Sequence, residues 1–577
     1  MSTQLLTFGR KFFLLSLPVI FLLGCPLFAE ASTLTLAKDG KSNYRIVLVE
    51  NASETEKFAA EELSRYLSEM SGVRLPIVNL SEAKDIKEVI FVGKSTPDSI
   101  RKSLNLRVED AYLVDVNNKA ISLAGASDRA SLYAVYDFLE TLGIGFARPD
   151  QETVPHKSTI ELAFFRRMEE PSFSYRAIVL FPLNKDWALL EIDWMAKNRF
   201  NWAHLITNTE IEEWQTQEVR KSLMPQLLKR GLHIQALGHS FGAFFPAEYN
   251  KEHPEYFSLG PDGVRNTGSR GALCLSNPEV VRVMSENIHK FLAANPEIEI
   301  IDLWTNDSAS WCYCPGCKKM QGVDPNFSEP RYSYTTRSYL KFVNEVAAKL
   351  AVQHPTIRVN ALAYHSNTFS DPQVKPAENV FVGFAPWGRA CYLGSDDYYV
   401  PITEPGPVND YVRPAMLGWL KLTKNFYIYD YYTASGSSGE IFPIIDTLRK
   451  DLAYYKTLGI TSMSTETAGC WAAFNVWAAG RLFWNHNVPL KKMVNDFCRI
   501  SFRDAAEPMT KFYMALESYK WQWREHRPQL AAFIDEAEKL AETDATVKLK
   551  LGELRLALAS QPLATFKHKA PPPALLE

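Results

Sequence analysis

From residue 172 to about 485 the chain alternates between short β-branched or aromatic runs and longer amphipathic ones, and this restricts its fold more than any other feature. Eight runs read as strands: Tyr175–Leu180, Asn201–Ile206, His233–Leu237, Ile298–Trp304, Arg358–Tyr364, Val380–Phe384, Phe426–Tyr431 and Ile460–Ser464. Helical patterns fill most gaps, as at Asp186–Asn198, Pro278–Ala294, Arg337–Gln353 and Phe442–Leu458. Strand–helix alternation of this length favours a parallel sheet, and eight units favour closure into a (β/α)8 TIM-like barrel of the α/β class. Two gaps are irregular. Residues 241–277 form a long insertion after the third strand, and 366–379 is too short and proline-broken for a full helix.

At 577 residues the chain is too long for one ordinary domain. Residues 32–165 read as a small α/β domain. Tyr44–Glu50 reads as a strand, and Ser53 and Glu56 form a capping box ahead of a helix with Ala59, Leu63, Tyr66, Leu67 and Met70 on one face, ended by Gly72. Strand-like runs follow at Glu88–Gly93, Ala111–Val116 and Ala120–Gly125, then a helix bearing Leu132, Val135, Tyr136 and Leu139, stopped by Gly143. The barrel is expected over 172–485. A helical C-terminal region is expected over 486–577, with Phe497, Phe502, Phe512 and Tyr513 packed on the barrel and a disordered proline-rich tail.

Residues 1–31 read as a signal peptide: Arg10 and Lys11, an apolar run from Phe12 to Leu23, and the small residues Ala29 and Ala31 around a cleavage point. Leu22-Leu23-Gly24-Cys25 also resembles a lipoprotein box. The expected location is therefore exported, periplasmic or extracellular, with lipid anchoring through Cys25 as the alternative. No later run approaches the ~18 apolar residues of a membrane span. The net charge of −3 argues against a nucleic-acid partner. Neither a P-loop nor a dinucleotide fingerprint stands out, so no nucleotide cofactor is expected. Nothing in the sequence sets the oligomeric state.

Barrels of this kind carry their sites where the strands end. Reading just past each strand collects His239, Trp304-Thr305-Asn306-Asp307, Tyr364-His365, Trp387-Gly388-Arg389, Tyr429-Asp430-Tyr431 and Glu466. Carboxylates, imidazoles and aromatic rings on one rim suit cleavage of a glycoside, which needs a proton donor and a second group supporting an oxocarbenium-like transition state. The expected catalytic set is Asn306, Asp307 and Glu466. The expected glycan-binding set is His239, Trp304, His365, Trp387, Arg389, Tyr429, Asp430 and Tyr431. Each has a plainer reading: Asp307 as a helix cap, Asp430 as a partner for tyrosines, Glu466 as a partner for Arg481, the aromatics as core.

Cys312-x-Cys314-x-x-Cys317 together with Cys274 offers four thiols close to the Asp307 loop. An oxidising compartment favours two disulfides, with free thiols as a further alternative. Four sulfurs also match a tetrahedral structural Zn²⁺. No cofactor is otherwise required.

Several separated motifs resemble one bacterial family, that of the domain of unknown function 4838. They are Asn306-Asp307 with Trp311-Cys312-x-Cys314-x-x-Cys317, His253-Pro254-Glu255-Tyr256-Phe257, Leu273-Cys274-Leu275-Ser276-Asn277-Pro278, Arg481-Leu482-Phe483-Trp484 and Asp496-Phe497-Cys498. The front domain resembles the small α/β domain that precedes the barrel in β-hexosaminidases and α-glucuronidases. Some members of the barrel family are classed as family 163 glycoside hydrolases, endo-β-N-acetylglucosaminidases acting on N-glycans. Others have no assigned activity, so the resemblance implies sugar chemistry more firmly than any one substrate. Joined to the signal segment, it gives the expectation of an exported glycosidase that cleaves β-linked N-acetylhexosamine by a substrate-assisted retaining mechanism. Asn306 would orient the acetamido group and Asp307 would act as acid and then base. The β-hexosaminidase pair is Asp-Glu, so this sequence departs at both positions. Two alternatives stay open: an α-glucuronidase-like hydrolase using Asp307 and Glu466, with Arg389 or a lysine holding a uronate, and a non-catalytic glycan-binding barrel.

Overall fold

The computed structural model describes residues 33–181, 184–206, 217–266, 272–305, 311–322, 335–389, 399–433, 441–467 and 473–559. Its centre is a closed barrel of eight parallel strands: β1 (Tyr175–Leu180), β2 (Trp202–Ile206), β3 (His233–Leu237), β4 (Ile300–Asp302), β5 (Arg358–Ala363), β6 (Val380–Phe384), β7 (Phe426–Asp430) and β8 (Ser462–Glu466). β8 returns to β1, with Tyr175 opposite Ser462 and Val179 opposite Glu466. The expected strands are all present. The last one sits two residues later than expected, which makes Glu466 its final residue rather than a loop position.

Side chains alternate across each strand. Ile178, Leu180, Ala203, Leu205, Ile234 and Ala236 face outward into the main core, which they share with the surrounding helices. Tyr175, Val179, Trp202, Ile300, Phe381 and Tyr427 face inward and fill the barrel. Gly383 makes room for one of them: a Cβ there would stand 2.5 Å from the Tyr427 hydroxyl oxygen. The inward positions also carry a polar network. Asp302 accepts from Gln235 Nε2 at 2.6 Å and from the Gly238 amide at 2.8 Å, and lies 2.8 Å from His204 Nε2. Tyr175 donates to Gln235 at 2.6 Å and Trp304 Nε1 donates to Asn360 Oδ1 at 2.5 Å. Burial makes such groups costly unless paired, so the network ties β2, β3, β4 and β5 into one register.

The front domain is built on a six-stranded mixed sheet, in the order Phe165–Glu169, Tyr112–Val116, Ile121–Gly125, Val89–Val92, Arg45–Leu48 and Ile77–Asn79. The sheet thus takes in residues just past 165, where a polar edge strand gave little hydrophobic signal. Helices Glu54–Ser71 and Asp128–Leu142 pack together against this sheet. The first begins with both halves of the Ser53–Glu56 capping box, and Gly72 and Gly143 end the two helices in left-handed conformation, at φ 76° and 106°. Buried charges join this domain to the barrel. Asp110 accepts from Arg129 Nε at 2.8 Å, from Arg176 Nη2 at 2.7 Å and from Asn201 Nδ2 at 2.8 Å.

Helices Leu490–Phe502, Ala506–Tyr519, Arg527–Leu540 and Ala545–Ala559 follow the barrel. Phe497, Phe502, Phe512 and Tyr513 are buried as expected, with Phe497 5.6 Å from Trp477 and Tyr513 5.0 Å from Phe474 between ring centroids. Among its described residues the insertion after β3 holds a short helix, Phe241–Phe244, two 3-10 turns and two isolated bridges. Among the described residues no helix is long and apolar enough to cross a membrane. The expected signal segment, Cys25 and the proline-rich tail lie outside the described residues.

Candidate active site

The inward alternation determines which residues past the strands reach the mouth of the barrel. On β4 it places Ile300, Asp302 and then Trp304 inside; on β7, Tyr427 and Tyr429; on β8, Ser464 and then Glu466. Trp304 is the floor. Its indole is buried and meets His204, His239 and Tyr429 edge-on at centroid distances of 5.2, 5.5 and 5.6 Å. The Tyr429 hydroxyl donates to Glu466 Oε2 at 2.9 Å, and its ring lies 5.4 Å from Tyr431. Burial first, and the Glu466 carboxylate second, raise the Tyr429 phenol well above its ordinary range, so it stays a donor at all working pH values.

His239 follows the left-handed Gly238 (φ 81°) that turns the chain out of β3. Its Nδ1 bonds the Thr305 carbonyl at 2.5 Å. A carbonyl oxygen only accepts, so Nδ1 carries the hydrogen, and in the neutral ring Nε2 holds the lone pair. Opposite, Tyr364 stacks on His365 at 3.7 Å and Trp387 meets His365 at 4.7 Å. Tyr364, Tyr431 and Phe181 are half-buried and pack on the inner barrel cluster that includes Trp304 and Tyr429. A half-buried carboxylate, oriented by a phenol and ringed by aromatic faces and imidazoles, can bind a sugar and support charge at its anomeric centre.

Nine of the expected rim residues fall into place or out of it as follows. His239, Trp304, Tyr429, Tyr431 and Glu466 form one continuous set, and His365 and Trp387 form a second wall joined to it through Tyr364. Asp430 does not belong. Tyr429 and Tyr431 flank it and face inward, so Asp430 faces outward. It is buried behind the barrel, accepts from the Tyr431 amide at 2.8 Å and from Tyr399 at 3.4 Å, and burial raises its carboxyl above the ordinary range. Arg389 is likewise corrected. Its guanidinium is buried, pairs with Asp451 at 2.6 Å and lies 3.8 Å from Asp430, so it is not placed to hold a uronate. Asn306 and Asp307 lie outside the described residues. The suggested Glu466–Arg481 pair does not form, because Arg481 pairs with Glu140 of the front domain. Sequence reasoning missed His204, Gln235, Asp302 and Asn360 beneath the floor. Their signal was a polar side chain at the inward position of an otherwise apolar strand, as in Trp-Ala-His-Leu-Ile.

The cysteine cluster adjoins this rim. Cys274, Cys312 and Cys317 are buried and Cys314 is half-buried, and all four are free thiols. The expected disulfides are therefore corrected: Cys274 Sγ stands 3.6 Å from Cys314 Sγ and 3.9 Å from Cys317 Sγ, well beyond the ~2.05 Å of a bond. A separate hollow of 440 Å³ lies between the front domain and the C-terminal helices, lined by Tyr112, Glu140, Arg199, Arg481 and Trp484. Its charges already pair with one another, as Arg199 does with Glu140 at 2.7 Å, and the rim remains the better candidate.

A search of curated proteins finds no match. Among solved structures the fold is similar to a family GH115 4-O-methyl-α-glucuronidase with specificity for decorated arabinogalactans, at TM-score 0.58 and 12% identity over 91% of this chain and 72% of that one. It is also similar to a GH138 enzyme targeting pectin rhamnogalacturonan II, at TM-score 0.56 and 11% identity over 89% and 68%. A third similarity is to the Flavobacterium johnsoniae chitobiase of GH20, at TM-score 0.53 and 13% identity over 84% and 72%. Residues 30–138 match the glycosyl hydrolase family 67 N-terminus. Residues 146–515, well over half of the sequence, match the domain of unknown function DUF4838, and the chain belongs to that family.

Proposed function

We propose that this protein is an exported glycoside hydrolase whose site is the C-terminal mouth of the barrel. The observation that carries the reading is the Tyr429–Glu466 pair set among Trp304, Tyr431 and His239 at that mouth. The glycoside hydrolases among the structural relatives share the fold, and the front-domain match is to the N-terminus of another glycosidase family.

The preferred substrate is a β-linked N-acetylhexosamine. Asn306 would orient the acetamido group, whose carbonyl oxygen attacks the anomeric carbon, and Asp307 would protonate the leaving oxygen and later deprotonate water. Trp304 stands two residues before Asn306 in sequence, and the similarity to a chitobiase supports the choice. Tyr429 would hold the Glu466 carboxylate toward the positive charge that develops on the sugar. The α-glucuronidase-like alternative is favoured by the GH115 and family 67 similarities, but it needs a cation other than Arg389 to hold the uronate. A barrel that only binds glycan is the remaining outcome.

The test is hydrolysis of a panel of chromogenic glycosides and a complex N-glycan by wild type, Asp307→Asn and Glu466→Gln. Release of an N-acetylglucosamine-terminated product that Asp307→Asn abolishes supports the acetamido-assisted reading. Loss in both variants on a sugar without an acetamido group transfers the assignment to a two-carboxylate mechanism. Binding of glycan without turnover by folded wild type overturns the enzyme reading.

A further inference from the structure

The four thiols beside the rim have a geometry that neither the fold nor the proposed chemistry requires. The Sγ atoms of Cys274, Cys312, Cys314 and Cys317 all lie within 4.8 Å of one another. A tetrahedral zinc with Zn–S bonds of about 2.3 Å demands sulfur–sulfur edges of about 3.8 Å. The separations from Cys274, 3.6 Å to Cys314 and 3.9 Å to Cys317, bracket that value.

Thiolate ligands are normally steadied by amide donors around the metal, and two such donors are in place. The Leu259 amide donates to Cys312 Sγ at 3.3 Å, and the Cys317 amide donates to Cys314 Sγ at 3.3 Å. The Ser276 hydroxyl adds a contact 3.2 Å from Cys317 Sγ and 3.5 Å from Cys314 Sγ. We propose that these four cysteines bind one Zn²⁺ as a closed, all-thiolate structural site. Four protein ligands leave no open position for water or substrate, so the metal braces the structure and does not act on substrate.

What it braces follows from the chain. Cys274 belongs to the insertion after β3, whose strand-like bridge pairs Phe257 with Leu273. Cys312, Cys314 and Cys317 follow β4, and Tyr313 donates its amide to the Leu259 carbonyl at 2.7 Å. Between Thr305 and Trp311 lie Asn306 and Asp307. The near end of that span is held by the Trp304–Asn360 bond. The far end is held by Trp311, whose indole donates to Ser366 Oγ at 3.0 Å, and by the thiol cluster. Zinc would clamp the insertion to the described stretch that begins at Trp311, whether or not the proposed glycosidase reading is correct.

The experiment is elemental analysis of the purified full-length chain by inductively coupled plasma mass spectrometry, with thiol counting in denaturant before and after chelation. One zinc per chain is expected, with four additional thiols becoming reactive only once the metal is chelated. Cobalt replacement should give the intense visible bands of a tetrahedral tetrathiolate centre. Cys274→Ser and Cys317→Ser should lose the metal, while Cys498→Ala, a buried thiol outside the cluster, should retain it. Metal-free wild type with four reactive thiols overturns the proposal. So does non-reduced peptide mapping that finds the same cysteines in disulfides. Because the decisive measurement is on wild type, poor folding of a variant does not blunt it.

Discussion

The phenol of Tyr429, on β7, donates to a carboxylate oxygen of Glu466, the last residue of β8, across 2.9 Å at the mouth of the barrel. One hydrogen bond thus joins two neighbouring strands at the point where their side chains reach the candidate site. A hydrogen bond to a charged group is worth about 1.5–3 kcal/mol. If it orients Glu466 for turnover, Tyr429→Phe should lower kcat/KM about 10- to 100-fold on whichever glycoside the wild type cleaves, with a loss of folding stability no larger than the worth of that bond. Glu466→Gln should be worse. Wild-type kinetics from folded Tyr429→Phe would remove this pair from the mechanism.

Asp302 is the hub of the polar network below the floor. It receives Gln235 and the Gly238 amide and lies against His204, and all of it is buried. Asp302→Ala would strand these groups without water, a loss on the order of 3–5 kcal/mol. Asp302→Asn keeps the volume and one acceptor oxygen and should cost less. Urea unfolding followed by tryptophan fluorescence gives both values, and an Asp302→Ala midpoint equal to wild type would refute the network's role.

Asp110 should govern part of the acid limb of stability. Burial alone would push its carboxyl up, but Arg129 and Arg176 outweigh that and hold it at about 2. A folded value below the unfolded one of about 3.9 means the stabilisation is present above that pH and is lost as pH falls through 2. Asp110→Asn should destabilise the protein at neutral pH and flatten this acid limb. Melting temperatures from pH 7 down to pH 2 test it, and an unchanged slope would show that Asp110 does not carry the linkage.

Glu517 predicts the opposite trend. It lies on helix Ala506–Tyr519 and accepts the Ile445 and Asp446 amides at 3.1 Å each, at the start of helix Ile445–Thr457. Burial raises its carboxyl to about 7 in spite of those two donors. The folded state therefore holds the proton more tightly than the unfolded one. This contribution is fully present below about pH 4.5 and disappears as pH rises through 7, a change of up to about 3 kcal/mol. Glu517→Gln, which stays neutral, should remove that decline between pH 4.5 and 7. Calorimetry across this window would detect it.

The sequence alone determined the barrel, because its signal is local. A short, largely apolar run such as Tyr175–Leu180 and helical periodicity in Pro278–Ala294 are properties of neighbouring residues. The Ser53–Glu56 cap and the Gly72 and Gly143 stops were legible for the same reason. The rim was legible in part: reading past the strand ends found Trp304, Tyr429 and Glu466. It also collected Asp430, although the same alternation that points Tyr429 and Tyr431 inward points Asp430 away. Arg389 was not legible, because its partner Asp451 lies 62 residues further along the chain. The Asp110–Arg176 joint and the meeting of Cys274 with Cys312, Cys314 and Cys317 likewise required the chain to close on itself. Tertiary structure decided these matters because burial and distant partners, which no local pattern encodes, determine whether a charged or sulfur-bearing side chain faces a site or is held within the core.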